Sequence, residues 1–248
     1  METHSIGAKE LDYDLRSYGG SRLVFRGPHP PVDGRHVAFV GGTETFGKFL
    51  PRPYPALVQE RYGLPCVNLG IANASIGAHL GDNAVVTACR EARIMVIEVT
   101  GAHNLSNRFY TVHPRRNDRF VRATEFLREL YCEVDFADFV FTKHMLMVLH
   151  ATCPHRFAIV RGELQRIWCV RMREFLAQMP VAPLLLWFAG HSPDRGGGWE
   201  EPLFVTAEMI EEVAPLAFAV LKVTPDAATC AARRDEMVHS ETERSAAA

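Results

Sequence analysis

The amino-acid sequence predicts one α/β domain, a three-layer α/β/α sandwich with a five-stranded, mainly parallel sheet. Short apolar segments rich in β-branched and aromatic residues recur along the chain, as expected of strands buried on both faces. Segments with helical periodicity lie between them, and this alternation is typical of a sheet covered by helices. The 248 residues, 48% of them hydrophobic, suffice for one core of this kind.

Five segments have the composition of buried strands. Connections between parallel strands are right-handed, so these segments predict a doubly wound sheet. The predicted strands are 36–40 (HVAFV), 66–70 (CVNLG), 94–99 (IMVIEV), 183–189 (PLLLWFA) and 216–223 (LAFAVLKV).

Five helices are predicted between and after these strands. The first is stopped by Gly63, the second begins after Asp82 as N-cap, and the last begins after Thr206. The clearest, from Glu163 to Met179, has apolar residues at steps of three and four. The predicted helical segments are 54–62, 82–93, 118–130, 163–179 and 206–214.

The chain divides into three parts by composition. Residues 1–34 are polar and end in GPHPPVDG, which predicts an N-terminal arm. Residues 35–230 carry the alternating pattern and are predicted to form the single domain, and the insert 105–160 is expected to cap the edge of the sheet where a ligand would bind. Residues 231–248 are a polar tail.

The composition excludes several classes of protein. The net charge of −2 disfavours general nucleic-acid binding. No apolar run approaches the roughly 18 residues that span a bilayer, and the N-terminus has no apolar signal region, so a cytoplasmic protein without a membrane span is expected. The six cysteines form no C-x-x-C pair. No metal site and no cofactor is predicted, and the oligomeric state stays open.

Four polar loops follow four of the predicted strands. Ligands of doubly wound folds bind at the edge where the carboxyl ends of the strands gather. All four loops are rich in glycine, small hydroxyl residues, asparagine or histidine, so we expect a ligand site there. They are 41–47 (GGTETFG), 70–75 (GIANAS), 100–107 (TGAHNLSN) and 190–194 (GHSPD).

Three of these loops resemble the sequence blocks of the SGNH, or GDSL-type, hydrolases, which implies an SGNH-like, flavodoxin-like fold. The segment FVGGTETFG is similar to the first block and places Thr43 at the nucleophile position. VNLGIANAS resembles the second block, with Gly70 at the glycine that donates its N–H to the oxyanion hole. VTGAHNLSN resembles the third block, with His103 at the oxyanion-hole asparagine and Asn104 beside it. Residues 36–120 also resemble a bacterial family of unknown function.

The resemblance implies an esterase or acyl-transfer enzyme. The Thr43 hydroxyl would attack an ester carbonyl, and the N–H groups of Thr43 and Gly70, with His103 or Asn104, would hold the oxyanion. The base would be His239 or His191. His239 ends the sequence EMVH, which matches the D-x-x-H block of the family with glutamate in place of aspartate, and His191 lies in the fourth loop. Without a base, the same crevice would only bind its ligand. The simpler alternative for Thr43 is a turn hydroxyl or a helix N-cap.

The polar residues beside these loops predict an anionic substrate. Asn73 in the second loop is a candidate substrate-binding residue, and turn formation is its alternative. Four arginines follow the third loop and suit phosphate, sulfate or carboxylate, with a solvated surface as the alternative. They are Arg108, Arg115, Arg116 and Arg119. The expected substrate is a modified glycan or lipid headgroup. The alternative is a catalytically degenerate protein that binds an anionic small molecule or glycan, and a transferase with a phosphate- or sulfate-bearing donor is a more distant one.

Overall fold

The computed structural model describes residues 13–27 and 29–224. Its strands are β1 (Leu15–Arg16), β2 (Phe25–Arg26), β3 (Val37–Gly41), β4 (Cys66–Gly70), β5 (Ile94–Glu98), β6 (Tyr110–Val112), β7 (Phe120–Ala123), β8 (Leu184–Phe188) and β9 (Ala219–Val223). Its α-helices are α1 (Thr43–Phe46), α2 (Tyr54–Tyr62), α3 (Ile76–Leu80), α4 (Asn83–Glu91), α5 (Glu125–Leu130), α6 (Thr142–Thr152), α7 (Pro154–Leu176) and α8 (Ala207–Val213). Short 3₁₀ turns cover Phe136–Asp138, Pro193–Arg195 and Ala214–Leu216.

The central sheet has five parallel strands in the order β4-β3-β5-β8-β9. Relative to the chain this is the order 2-1-3-4-5 of flavodoxin-like doubly wound sheets. The predicted α/β/α sandwich and its five strands are confirmed. The last strand begins at Ala219 rather than at residue 216, because the 3₁₀ turn Ala214–Leu216 precedes it.

Helices cover both faces of the sheet. The larger core joins the side chains of Ile97 and Trp187 to residues of α4, α7 and α8, and Trp168 on α7 is fully buried there. On the other face Phe39 and Val96 pack with Tyr54 of α2 in a smaller cluster. Successive side chains of a strand point to opposite faces of the sheet, and the neighbours of Glu98 along β5 point into the larger core. Glu98 therefore lies on the face of the smaller cluster, beside α1.

Local capping explains the helix ends that were predicted correctly. α2 ends at Gly63, which has a positive φ of 67°. The Asp82 carboxylate accepts hydrogen bonds from the N–H groups of Ala84 and Val85 at the start of α4. The Thr206 hydroxyl likewise accepts from Met209 N–H at the start of α8.

Two helix predictions were wrong in extent. Residues 120–123 of the predicted helix 118–130 form β7, which pairs with β6, and only Glu125–Leu130 is helical. The pairing buries Phe120 and Ala123, which outweighs the helical pattern of the segment. The helix predicted from Glu163 begins at Pro154, because proline suits the first turn of a helix.

The N-terminal arm is attached to the domain by Arg26. This side chain is 2% exposed, and its guanidinium donates to the carbonyls of Gly47, Leu50 and Pro51. Leu23 and Phe25 join the larger core. β2 packs beside β4, so the arm covers this edge of the sheet. The predicted tail 231–248 lies outside the described residues.

No helix within residues 13–27 and 29–224 combines the length and the apolar character that crossing a bilayer requires.

Candidate functional site

The chain order of the strands places a crevice between the carboxyl ends of β3 and β5. From β3 the chain moves to β4 on one side and then returns to β5 on the other side of β3. Loops that leave the sheet in opposite directions at such a switch point open a crevice, and ligands of doubly wound folds bind there. The loop 41–47 follows β3 and the loop 100–107 follows β5. Two of the predicted polar loops therefore flank the crevice.

Glu98, at the end of β5, holds the first of these loops. One carboxylate oxygen accepts hydrogen bonds from Gly42 N–H at 3.0 Å and Thr45 N–H at 2.9 Å. The Thr45 hydroxyl also donates to this oxygen. The side chain is 7% exposed, and burial raises the pKa of Glu98 to about 7, against the lowering effect of the bonds from Thr45. Glu98 therefore caps α1 from a neighbouring strand.

Asn68 of β4 fixes the other end of the same short helix. Its side chain donates to Thr45 O at 2.9 Å and accepts from Gly70 N–H at 2.9 Å. A side chain at position 70 would lie 2.6 Å from Thr45 C and 2.8 Å from Phe46 Cα. Gly70 therefore lets α1 approach the sheet, and its N–H, predicted to face an oxyanion, is bonded to Asn68.

Thr43 is the first residue of α1, and its N-cap is Gly42. The Thr43 hydroxyl donates to Asn73 Oδ1 at 3.2 Å and accepts from Asn73 N–H at 2.9 Å. Asn73 is exposed and adopts a φ of 60°, which asparagine tolerates better than most residues. Asn104 Nδ2 in turn donates to Asn73 O at 2.9 Å. Hydrogen bonds thus join Thr43, Asn73 and Asn104, one from each of three predicted loops.

The loop after β5 contains three buried polar atoms without a hydrogen-bond partner in the described part of the chain. They are Thr100 Oγ1, His103 Nδ1 and Asn104 Oδ1, and each of these residues is 5–7% exposed. Buried polar groups are usually satisfied, so three exceptions within five residues mark this loop as unusual. Its backbone is fixed by hydrogen bonds from Ala102 N–H to Leu203 O and from Tyr110 Oη to His103 O.

The His103 ring lies among charged groups from other segments. Its Nε2 is 3.9 Å from Glu201 Oε1, too far for a hydrogen bond, and Lys143 Nζ lies 3.9 Å from the same oxygen. Burial lowers the pKa of His103, and the negative charge of Glu201 opposes this effect. The neutral imidazole is therefore favoured at neutral pH.

The two predicted bases are placed differently. His191 Nδ1 lies 3.0 Å from Ser192 O, and His191 Nε2 lies 3.2 Å from Glu201 O. The His191 ring packs on Trp187. His239 lies outside the described residues. Both hydrogen bonds of the Thr43 side chain are with Asn73. No histidine of the described ranges is thus bonded to the Thr43 hydroxyl.

The four predicted arginines do not form one cluster. The Arg108 guanidinium lies over the Phe109 ring at 4.9 Å, and that of Arg119 lies over the Phe141 ring at 4.3 Å. Arg116 is exposed. Arg115 alone among the four lines a cavity that also reaches Asn104.

One predicted oxyanion donor keeps a free N–H. Thr43 N–H has no acceptor in the described part of the chain, whereas Gly42 and Thr45 donate to Glu98. Residues 13–27 and 29–224 also contain no group of three or more His, Cys, Asp or Glu side chains that could hold a metal ion. The polar groups in the loops that flank the crevice thus include hydroxyl, amide and imidazole groups and the Thr43 N–H.

Sequence reasoning missed the residues that hold these groups in place. Glu98 is the only acid in the apolar strand segment IMVIEV, and Asn68 is the only polar residue in CVNLG. A polar residue inside a segment that is otherwise buried on both faces was the available signal. Glu201 gave no such signal, because it lies in a loop.

The comparison with protein families matches residues 1–248 to the family described as "Domain of unknown function (DUF6473)". The chain belongs to this family. The match agrees with the resemblance to a family of unknown function. Neither the curated proteins nor the solved structures yield a match to the chain.

Proposed function

We propose that this protein binds a hydroxyl-bearing, anionic small molecule or glycan at the crevice between β3 and β5, without hydrolysing it. The observation that carries this proposal is the hydrogen-bonded chain of Thr43, Asn73 and Asn104. It joins polar groups from three loops at the switch point, where ligands of such sheets bind.

The same chain argues against an activated nucleophile. A threonine hydroxyl attacks a carbonyl when an adjacent base removes its proton. Here the hydroxyl donates to the Asn73 side-chain amide, which is not a base. The methyl group of threonine also restricts χ1, which limits the approach to an ester. Thr43 is therefore better suited to hydrogen bonding with a ligand than to covalent catalysis.

The polar side chains of the loop 100–104 support a polar ligand. The unpartnered atoms, such as Asn104 Oδ1, have almost no exposed surface, so a ligand or a water would reach them only after this loop shifts. Hydroxyl groups both donate and accept hydrogen bonds, which fits the mixture of amide, hydroxyl and imidazole groups at this edge.

Labelling with a fluorophosphonate probe tests the absence of hydrolysis. We expect no stoichiometric labelling of the wild-type protein and no difference from Thr43→Val. Stoichiometric labelling that disappears in Thr43→Val would overturn the proposal and establish an activated hydroxyl.

Binding is tested separately by thermal shift with glucuronate and glucose 6-phosphate. We expect a saturable rise in Tm with at least one of these probes, reduced in Thr43→Val. The matched control is Thr111→Val, because this hydroxyl lies in the β6–β7 hairpin. An equal effect of both substitutions would show that the crevice is not the binding site.

Ester hydrolysis is the second candidate, and the free Thr43 N–H favours it. A backbone N–H of the nucleophile residue is a common oxyanion donor, and the hydroxyl is half-buried rather than sealed. The resemblance to SGNH hydrolases supports the same function. Comparing His191→Ala with His239→Ala in the labelling experiment would identify the base.

A further inference from the structure

A cavity of about 510 Å³ is lined in part by Asn104. Its walls come from the N-terminal arm, α3, the loop after β5, the β6–β7 hairpin and α7. The volume is within the range of small-molecule sites. The residues that matter for its chemistry are Arg22, Asp82, Asn104, Arg115, Arg171 and Glu174.

Three arginines and two acids line this cavity, and both acids are already engaged. The Glu174 carboxylate accepts from the Arg171 guanidinium at 2.6 Å. The Asp82 carboxylate accepts from Ser21 Oγ, from Arg22 N–H and from the first N–H groups of α4. Glu174 is thus paired with Arg171, whereas Asp82 keeps its negative charge because its donors are neutral, and the three arginines and two acids leave the lining with a net charge of +1.

The guanidinium groups of Arg22 and Arg115 have no acidic partner in the described part of the chain. Arg22 lies on the arm and Arg115 on the turn that follows β6. This turn is fixed, because the N–H groups of Arg115 and Arg116 both donate to His113 Nδ1, at 3.2 and 3.1 Å. Two exposed, positive side chains from separate segments thus line one cavity without an ion-pair partner.

We propose that this cavity binds the phosphate or sulfate group of the ligand, with Arg22 and Arg115 as its cationic residues. Planar guanidinium groups pair with oxyanions through parallel N–H bonds. A tetrahedral group has enough oxygen atoms to receive such bonds from two walls at once. Asn104 belongs both to this cavity and to the hydrogen-bonded chain of the crevice, so the two sites adjoin. The inference rests on the proposed function and specifies its substrate class.

Calorimetry tests whether the cavity binds anions. The full chain is titrated with inorganic phosphate and with inorganic sulfate, and sodium chloride keeps the ionic strength constant. We expect saturable binding of at least one anion. Arg22→Gln and Arg115→Gln should each weaken it by about tenfold or more, as for the loss of a charge-assisted hydrogen bond.

Arg116→Gln is the matched control, because it removes the same charge from the adjacent, exposed position outside the cavity. Its affinity should equal that of the wild type. The inference is overturned if neither anion binds saturably, or if Arg116→Gln weakens binding as much as Arg115→Gln does. The thermal unfolding of each variant shows that it is folded.

The anion titration tests the cavity, and the labelling experiment tests the non-hydrolytic function, so each can be refuted without the other. If phosphate binds through Arg22 and Arg115 while Thr43 labels with fluorophosphonate, the cavity stands and the non-hydrolytic function does not. If no anion binds while the sugar probes still act through Thr43, only the cavity is refuted. The stronger of the phosphate and sulfate responses names the anionic group.

Discussion

Replacing Glu98 with glutamine separates the charge of this buried side chain from its capping role. In Glu98→Gln the new amide would keep one oxygen to accept from Gly42 N–H and Thr45 N–H, the two backbone bonds seen in the structure. The amide cannot ionise. In the wild type, burial raises the pKa of Glu98 from 4.5 to about 7. The folded state therefore binds a proton more tightly than the unfolded state does.

The sign of the pH dependence follows from this difference. Between the two pKa values the folded state carries more protons, so the free energy of unfolding falls as the pH rises. From about pH 5.5 to about pH 8 the fall attributable to Glu98 is about 2 kcal/mol. For a chain of this length it corresponds to about 4–8 °C in Tm. Glu98→Gln should lose this contribution and gain stability relative to the wild type as the pH rises.

Urea unfolding of both proteins at several pH values in this range measures the effect. The quantity to follow is the difference in free energy of unfolding between variant and wild type. Glu163→Gln is the control, because Glu163 is also buried but the Arg166 side chain lowers its pKa. The difference in free energy of unfolding between Glu163→Gln and the wild type should therefore not change with pH above about pH 5.5. A flat or falling difference for Glu98→Gln would refute the reasoning.

Two further predictions concern packing and thiol reactivity. Gly70→Ala should destabilise the protein by about 3 kcal/mol or more, because the new methyl group would meet the backbone of α1. Gly162→Ala, on an open face of α7, should stabilise it by up to about 1 kcal/mol. Equal denaturation midpoints of the two variants would contradict this prediction. Backbone and side-chain hydrogen bonds from Arg156 lower the pKa of Cys153, so iodoacetamide should modify Cys153 before the exposed Cys132, and Arg156→Gln should slow the reaction. Peptide mapping by mass spectrometry measures the order, and faster modification of Cys132 would show the prediction to be wrong.

The sequence was sufficient where the determining interactions are local. The five strands carry their own signal, because burial on both faces makes each segment apolar throughout. Gly63, Asp82 and Thr206 end or begin helices through bonds to residues at most four positions away. The positions of Thr43, Asn73 and Asn104 at one edge follow from the parallel sheet, since the loops that follow its strands all begin at the same edge.

The tertiary structure alone decided which of these groups touch each other. The bond between Glu98 and Gly42 spans 56 positions, and that between Thr43 and Asn73 spans 30. The strand β7 was predicted as helix, because only its pairing with β6 shows which face is buried. Likewise, only folding brings Arg22 to the cavity of Arg115 and leaves Arg108 and Arg119 over aromatic rings. Side-chain contacts across loops depend on distances that no periodicity along the chain encodes.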